Sequence, residues 1–251
     1  MPVPGTRGPL GPVLWTWAQA ILIIAGAALL ARVEPTGLLQ GNLAGVGALV
    51  FLWLPDRRLR ARGEEWEAYG LPWWGAGDRR TWAAWGRGAL WAAGAALLLF
   101  PLFALAFQAF ASALPGLPEG LRALLAPYAG APRLRPRLPE GLALQALLQL
   151  LVVALPEEAF YRGYLQGTLR RVLPGRPVRV LGADLGPGFL LTQVLFAAGH
   201  LATFQPFRLG TFFPGLVFGW LRERTGGLAA PILFHALSNL LLKVLEASFY
   251  G

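Results

Sequence analysis

Cysteine is absent from this 251-residue sequence, which excludes disulfide bonds, thiolate catalysis and cysteine-bound metal ions. Charged residues are scarce as well: they make up 14% of the chain, whereas a soluble domain carries about 25%. Hydrophobic residues account for 55%, and the mean hydropathy is +0.51. A chain this apolar cannot hydrate the whole surface of a globule, so we expect lipid to cover much of it.

Long apolar stretches without charge predict helices that cross a membrane, since each residue adds about 1.5 Å to a helix and the hydrocarbon core is about 30 Å thick. Such stretches occur at 13–31, 37–54, 88–118, 141–156, 187–204, 209–221 and 227–242. The first is long enough to be a retained helix rather than a cleaved signal peptide. The last four are shorter and are interrupted by glycine and proline. The sequence therefore predicts an all-α, polytopic transmembrane helical bundle with about seven to eight spans.

Arginines cluster in polar segments between the apolar stretches, chiefly 56–87 and 119–140, and give the chain a net charge of +9. Basic loops are typical of the cytoplasmic side of a membrane, where anionic lipids lie, and the loops after the second, fourth and sixth spans predict that side, whereas 119–140 departs from this pattern. Segment 56–87 is also rich in tryptophan and is interpreted as a cytoplasmic loop. No basic face exists outside the loops, so nucleic acid is not expected as a partner. We expect a multi-pass protein of a bacterial inner (cell) membrane, with lipid as a partner and its N-terminus in the cytoplasm.

Ionisable residues in apolar segments are costly and are functional candidates by default. Glu157 and Glu158 directly follow an apolar run, and Arg162 comes four residues after Glu158. Adjacent residues point about 100° apart on a helix, whereas residues four apart share a face. The spacing therefore predicts an ion pair between Glu158 and Arg162, which leaves Glu157 free to face a cavity. The alternative is a helix that leaves the membrane with ordinary interfacial charges.

Two further polar groups lie in the neighbouring apolar segments. His200 stands in the first of these, and the second carries His235 and Asn239, which are four apart and share a helix face. These are the only two histidines of the chain. Each group alone could be a hydrogen-bonded core residue. Because all of them fall in three neighbouring segments, we expect them to surround one water-accessible site within the membrane.

Two chemistries fit this set of residues. A carboxylate and an imidazole can deprotonate water, while a second imidazole and an amide donate hydrogen bonds to a developing oxyanion, and this is sufficient to hydrolyse a peptide bond. Alternatively, Glu157, His200 and His235 could bind zinc and leave one position open for water. The H-E-x-x-H spacing of soluble zinc proteases is absent. The sequence alone leaves both chemistries open.

At these residues the chain resembles the CPBP family, also called the Abi or type 2 CAAX prenyl endopeptidase family. The family's motifs E-E-x-x-x-R, F-x-x-x-H and H-x-x-x-N stand here as 157–162, 196–200 and 235–239, in the same order. The resemblance implies that Glu157 and His200 activate a water. It further implies that His235 and Asn239 form the oxyanion site.

The resemblance implies that Glu158 and Arg162 support the site, and it leaves open which glutamate is the base. It divides the chain into N-terminal transmembrane helices with an Arg/Trp-rich loop at 1–140, a protease core at 141–243 and a short tail at 244–251. The implied activity is that of an intramembrane endopeptidase that acts on a peptide or membrane-protein substrate. Two other functions stay open: a non-proteolytic membrane binder, such as an immunity protein, and a proton-coupled transporter with a buried Glu/His relay.

Overall fold

The computed structural model describes residues 10–125, 128 and 131–251. Within these residues the chain forms eight helices, which confirms the predicted all-α bundle. They are α1 (Leu10–Leu30), α2 (Leu38–Arg60), α3 (Arg79–Ala113), α4 (Glu119–Leu125), α5 (Leu142–Val172), α6 (Pro187–Gly199), α7 (Phe212–Thr225) and α8 (Ala229–Tyr250). Two short antiparallel strands, β1 (Val178–Val180) and β2 (Ala183–Leu185), make a hairpin between α5 and α6.

Five of the described helices are long and apolar enough to cross a membrane: α1, α2, α3, α5 and α8. Helices α6 and α7 have 13 and 14 residues, fewer than the roughly 17 that a crossing needs. Helix α6 packs against α5 and α7, and α7 packs against α6 and α8. A short segment is tolerated where protein replaces lipid around it. The chain is therefore a multi-pass membrane protein in which two short helices are held inside the bundle.

Helix α5 is much longer than the sequence pattern suggested. The apolar stretch was expected to end at Pro156, but the helix continues to Val172. Two π-helical segments interrupt it, Gln149–Ala154 and Ala159–Leu165, and they flank the two glutamates. The charged residues that seemed to end the stretch are instead enclosed by neighbouring helices. Helix α8 likewise continues to Tyr250, so the expected tail at 244–251 is helical up to that residue.

Close contact between α3 and the start of α8 depends on a glycine. A Cβ atom added to Gly88 would lie 2.5 Å from the Cβ of Ala229 and 2.8 Å from the backbone nitrogen of Ala230. Only glycine permits this approach. The contact fixes the start of the helix that carries His235 and Asn239.

Part of the loop that joins α2 to α3 is buried in the protein. A 3₁₀-helix, Trp66–Tyr69, places the Tyr69 side chain in the core with an exposed fraction of 1%. The Tyr69 carbonyl accepts a hydrogen bond from Arg222 at 3.2 Å, and the Gly70 carbonyl accepts one from the Leu228 amide at 2.8 Å. The loop predicted at 56–87 is shorter in the structure, since α2 continues to Arg60 and α3 begins at Arg79. Tyr69 also lies against Tyr164 of α5, with 6.2 Å between the ring centroids, so the loop connects α5 to the turn between α7 and α8.

Candidate active site

A cavity of about 760 Å³ opens between α1, α2, α5 and α8 and the segment that follows α6. Its walls are polar and apolar in about equal parts, and three of the predicted site residues line it: Glu157, His200 and Asn239. The size falls within the roughly 300–1,000 Å³ of known ligand pockets. Glu158, Arg162 and His235 are not among the lining residues. The polar cluster is therefore divided between the cavity wall and the protein behind it.

The cavity face of α5 carries a row of residues spaced by four: Gln149, Val153, Glu157 and Tyr161. In a regular α-helix a spacing of four overshoots one turn by about 40°, so such a row would drift around the helix. A π-turn bonds residue i to i+5 and so holds more residues per turn, which reduces this drift. The two π-helical segments thereby keep the row on one face and aim Glu157 into the cavity.

Glu157 and His200 lie next to each other on the cavity wall. His200 Nε2 lies 4.0 Å from Glu157 Oε2, and both side chains are mostly buried, with exposed fractions of 16% and 19%. His200 Nδ1 lies 2.8 Å from the Phe196 carbonyl, which can only accept a hydrogen bond. Nδ1 must therefore carry the hydrogen. In the neutral ring, Nε2 is then left as an acceptor that points towards the carboxylate.

The ion pair expected between Glu158 and Arg162 is present and fully buried. Arg162 Nη1 donates to Glu158 Oε1 at 2.9 Å, and neither side chain is exposed. Arg162 Nη2 donates to Gln193 Oε1 at 2.9 Å and to the Gly215 carbonyl at 3.1 Å. The guanidinium thus joins α5, α6 and α7. A buried charge needs this degree of pairing to be tolerated.

The two polar residues of α8 have different surroundings. His235 has an exposed fraction of 4%; its Nδ1 lies 2.8 Å from Glu158 Oε1 and its ring stacks on Phe218 at 4.5 Å. Asn239 lines the cavity, and its Nδ2 donates to Gln149 Oε1 at 2.8 Å. Of the two residues expected at an oxyanion site, one therefore reaches the cavity and the other contacts the buried carboxylate.

Three glutamines belong to the polar cluster but were not singled out from the sequence: Gln149, Gln166 and Gln193. Gln193 Nε2 donates to Gln166 Oε1 at 3.2 Å, which extends the buried network beyond Arg162. Gln166 follows Arg162 by four residues, as Arg162 follows Glu158, so this spacing was a usable signal. Gln149 and Gln193 stand in apolar stretches and have no charged residue four positions away.

A zinc site at this position would use Glu157, His200 and His235 as its ligands. In the ranges that the structure describes, no three His, Cys, Asp or Glu side chains are grouped so that they could hold a metal ion. The ligand set considered above is divided, since Glu157 and His200 line the cavity whereas His235 Nδ1 contacts Glu158. The residues as arranged do not fit a zinc site with these ligands.

Comparison with protein families gives a match that covers the site. Residues 139–241 match the family described as Type II CAAX prenyl endopeptidase Rce1-like. No curated protein matches the chain. No solved structure matches it either. The matched region contains all six predicted site residues, from Glu157 to Asn239, and confirms the resemblance that their motifs carry. Residues 139–241 are therefore similar to the Rce1-like family of type II CAAX prenyl endopeptidases, and this similarity supports a CAAX-type intramembrane protease in general.

Proposed function

We propose that the protein is an intramembrane endopeptidase that hydrolyses peptide bonds of membrane-associated substrates with a water activated by Glu157 and His200. The observation that supports this most directly is the 4.0 Å separation of Glu157 Oε2 and His200 Nε2 on the wall of a cavity. Glu157, rather than the paired Glu158, is then the base. We place the protein in the bacterial cell membrane, where its peptide or membrane-protein substrates would lie.

The water is oriented by two acceptors. With its hydrogen on Nδ1, a neutral His200 accepts through Nε2, and the Glu157 carboxylate only accepts. A water that enters between them would donate a hydrogen to each and would give the buried Glu157 Oε2 the hydrogen-bond partner that it lacks among the described residues. Its oxygen lone pairs then point away from both groups, towards the space where a peptide carbonyl would lie.

Hydrolysis follows from this geometry without a covalent enzyme intermediate. The water oxygen bonds to the carbonyl carbon as its proton passes to Glu157, and the carbonyl oxygen takes up the negative charge. When the carbon–nitrogen bond breaks, the proton returns to the departing amine. The products are one peptide with a carboxylate end and one with an amine end.

The negative oxygen requires a hydrogen-bond donor, and Asn239 supplies one on the cavity wall. A side-chain amide carries two N–H groups, of which Gln149 accepts one and the other remains for the substrate. Loss of a single oxyanion donor typically costs a factor of about 10² to 10³ in kcat. His235, bonded to the buried Glu158, is assigned to the support of the site rather than to the cavity.

The test is a comparison of peptide termini in membranes. Cells producing the wild-type chain, Glu157→Ala or His200→Ala would be compared by mass spectrometry of new termini in membrane proteins. We expect termini that appear with the wild type and disappear in both variants. Glu65→Ala is the matched control, since Glu65 is exposed and lies in the loop before α3; it should give the wild-type pattern.

Each other outcome counts against the proposal. Termini that persist unchanged in both variants would remove Glu157 and His200 from the reaction. If no terminus depends on the wild-type chain, the endopeptidase assignment fails, and a non-proteolytic binding or transport role becomes the better account.

A further inference from the structure

Gln149 on α5 is not part of the three motifs that carry the family resemblance, yet it lies in the cavity wall beside Asn239. Its Oε1 accepts a hydrogen bond from Asn239 Nδ2 at 2.8 Å, across 90 residues of sequence. Both side chains are half-buried and both line the cavity that contains Glu157 and His200. A hydrogen bond between two cavity-lining side chains fixes how each of them faces a bound molecule.

The direction of the Asn239 amide decides whether it can assist catalysis. An amide that presents nitrogen donates to an oxyanion, whereas the same amide rotated by half a turn presents oxygen and repels it. The two orientations of the amide have nearly the same shape, so packing alone does not distinguish them. With Gln149 presenting Oε1, as it does in the structure, an Asn239 oxygen facing it would lose the bond that the Asn239 nitrogen makes.

We propose that Gln149 is a positioning residue that holds the Asn239 amide with one N–H on Gln149 and the second N–H directed into the cavity. This rests on the proposed function, since it assigns Asn239 to the oxyanion. Gln149 itself touches no reacting atom.

The helix geometry explains why Gln149 is in reach of Asn239 and on the face of Glu157. Gln149 opens the first π-helical segment of α5, and Glu157 follows it by eight residues. In a regular α-helix eight residues leave about 80° between two side chains. The π-turn takes up part of this angle. Gln149 and Glu157 thereby come to line the same cavity, with α8 on its other side.

A purely structural role is the alternative. A hydrogen bond between two membrane helices contributes modestly to stability, and it would hold α5 to α8 in either orientation of the Asn239 amide. Loss of such a bond would lower stability and leave the turnover of the folded protein unchanged. A positioning role predicts a loss of kcat with little change in KM, and recovery by any side chain that restores the acceptor.

Two variants of Gln149 distinguish a positioning role from a purely structural one. Gln149→Leu removes the acceptor at similar volume, and Gln149→Glu keeps an acceptor and cannot donate when ionised. Gln145→Leu is the control, because Gln145 lies one turn earlier on α5, bonds to the Glu140 carbonyl at 2.7 Å and does not line the cavity. Kinetics would be measured for the full chain in lipid nanodiscs, with a quenched peptide that contains a cleavage sequence found in the terminus experiment.

We expect Gln149→Leu to reduce kcat by about 10-fold to 100-fold, as a misplaced catalytic group does, with KM within about twofold of the wild type. Gln149→Glu should recover most of this loss, and Gln145→Leu should match the wild type. Wild-type kcat in Gln149→Leu, or a loss that Gln149→Glu does not recover, would overturn the proposal.

A second measurement is independent of activity. The chain has two asparagines, Asn42 and Asn239, so ¹⁵N-asparagine labelling gives two side-chain amide signals, and Asn42→Ser assigns them. We expect the Asn239 amide protons to shift in Gln149→Leu and to stay near their wild-type positions in Gln149→Glu. An Asn239 signal that does not move in Gln149→Leu would show that the Gln149–Asn239 hydrogen bond is absent. A shifted signal in a protein whose wild type cleaves nothing shows instead that the proposed function has failed.

Discussion

Glu158 Oε1 lies 2.8 Å from His235 Nδ1, and this contact joins α5 to α8 behind the cavity wall. The same oxygen accepts from Arg162, while Glu158 Oε2 is buried with no hydrogen-bond partner among the described residues. Its neighbour Glu157 contributes to the cavity surface instead. The two adjacent glutamates therefore have different surroundings, and under the proposed function Glu158 supports the fold while Glu157 acts in the reaction.

Glu158→Gln should destabilise the protein, whereas Glu157→Gln should not. Removing the charge of Glu158 leaves Arg162 buried without its counterion, which typically costs about 3–5 kcal/mol. Glu157 has no such partner, so its substitution should abolish cleavage with little effect on the free energy of unfolding. Unfolding in a denaturing detergent, followed by circular dichroism, measures the free energy of unfolding of both variants. Equal losses of stability in the two variants would contradict the division.

Arg162→Lys should be harmful although it keeps the positive charge. The guanidinium bonds Glu158, Gln193 and the Gly215 carbonyl at once, and a single ammonium cannot reproduce this planar fork. We expect a loss of at least about 2 kcal/mol in the free energy of unfolding, since hydrogen bonds to charged groups are lost. Arg170→Lys is the control, because the Arg170 side chain is 69% exposed and pairs with Glu223 at the surface. If Arg170→Lys loses as much free energy of unfolding as Arg162→Lys does, the burial of Arg162 is not the cause of the loss.

Gly88→Ala should separate α3 from α8. The new methyl group would lie 2.5 Å from Ala229 Cβ and 2.8 Å from the Ala230 backbone nitrogen, and backbone atoms cannot rotate away. We expect a cost of about 1–3 kcal/mol, as for other overpacked sites. Gly94→Ala on the same helix meets nothing within 4 Å and should be neutral or slightly stabilising. The free energies of unfolding of the two variants in detergent provide the comparison.

Tyr69 should make the protein sensitive to alkaline pH. Burial, together with the hydrogen bond to Glu64, raises the pKa of the Tyr69 hydroxyl above its usual value of 10. The folded state therefore keeps this proton more tightly than the unfolded state, and the resulting stability is present below pH 10 and declines as the pH rises above it. Tyr69→Phe lacks this ionisation, so its deficit relative to the wild type should shrink between pH 9 and pH 11. A constant difference in melting temperature across that range would falsify the prediction.

The sequence predicted the parts of the site that depend on spacing within one helix. Glu158 and Arg162 are four apart, and α-helical geometry alone puts them on one face. The convergence of His200 and Asn239 with Glu157 was predicted from their rarity in apolar segments, since an ionisable group at membrane depth needs a polar environment.

Other features of the fold and the site cannot be predicted from the sequence pattern. A π-turn shifts the backbone hydrogen bonds by one residue without a characteristic composition, so the row from Gln149 to Tyr161 was not predicted. The end of α5 was misplaced because Glu157 and Glu158 look like the edge of a span unless the surrounding helices are known. The Gln149–Asn239 bond joins residues 90 apart, and neither position identifies the other.

The walls of the cavity come from two parts of the chain. The residues proposed to carry out hydrolysis belong to 139–241, but α1 and α2 supply much of the remaining surface, including Ala28, Leu43 and Phe51. These two helices carry none of the proposed reacting groups. Under the proposed function, the reaction and the recognition of the substrate are therefore encoded in separate parts of the chain, and substitutions in the first two helices should change which peptide is cleaved without changing the chemistry.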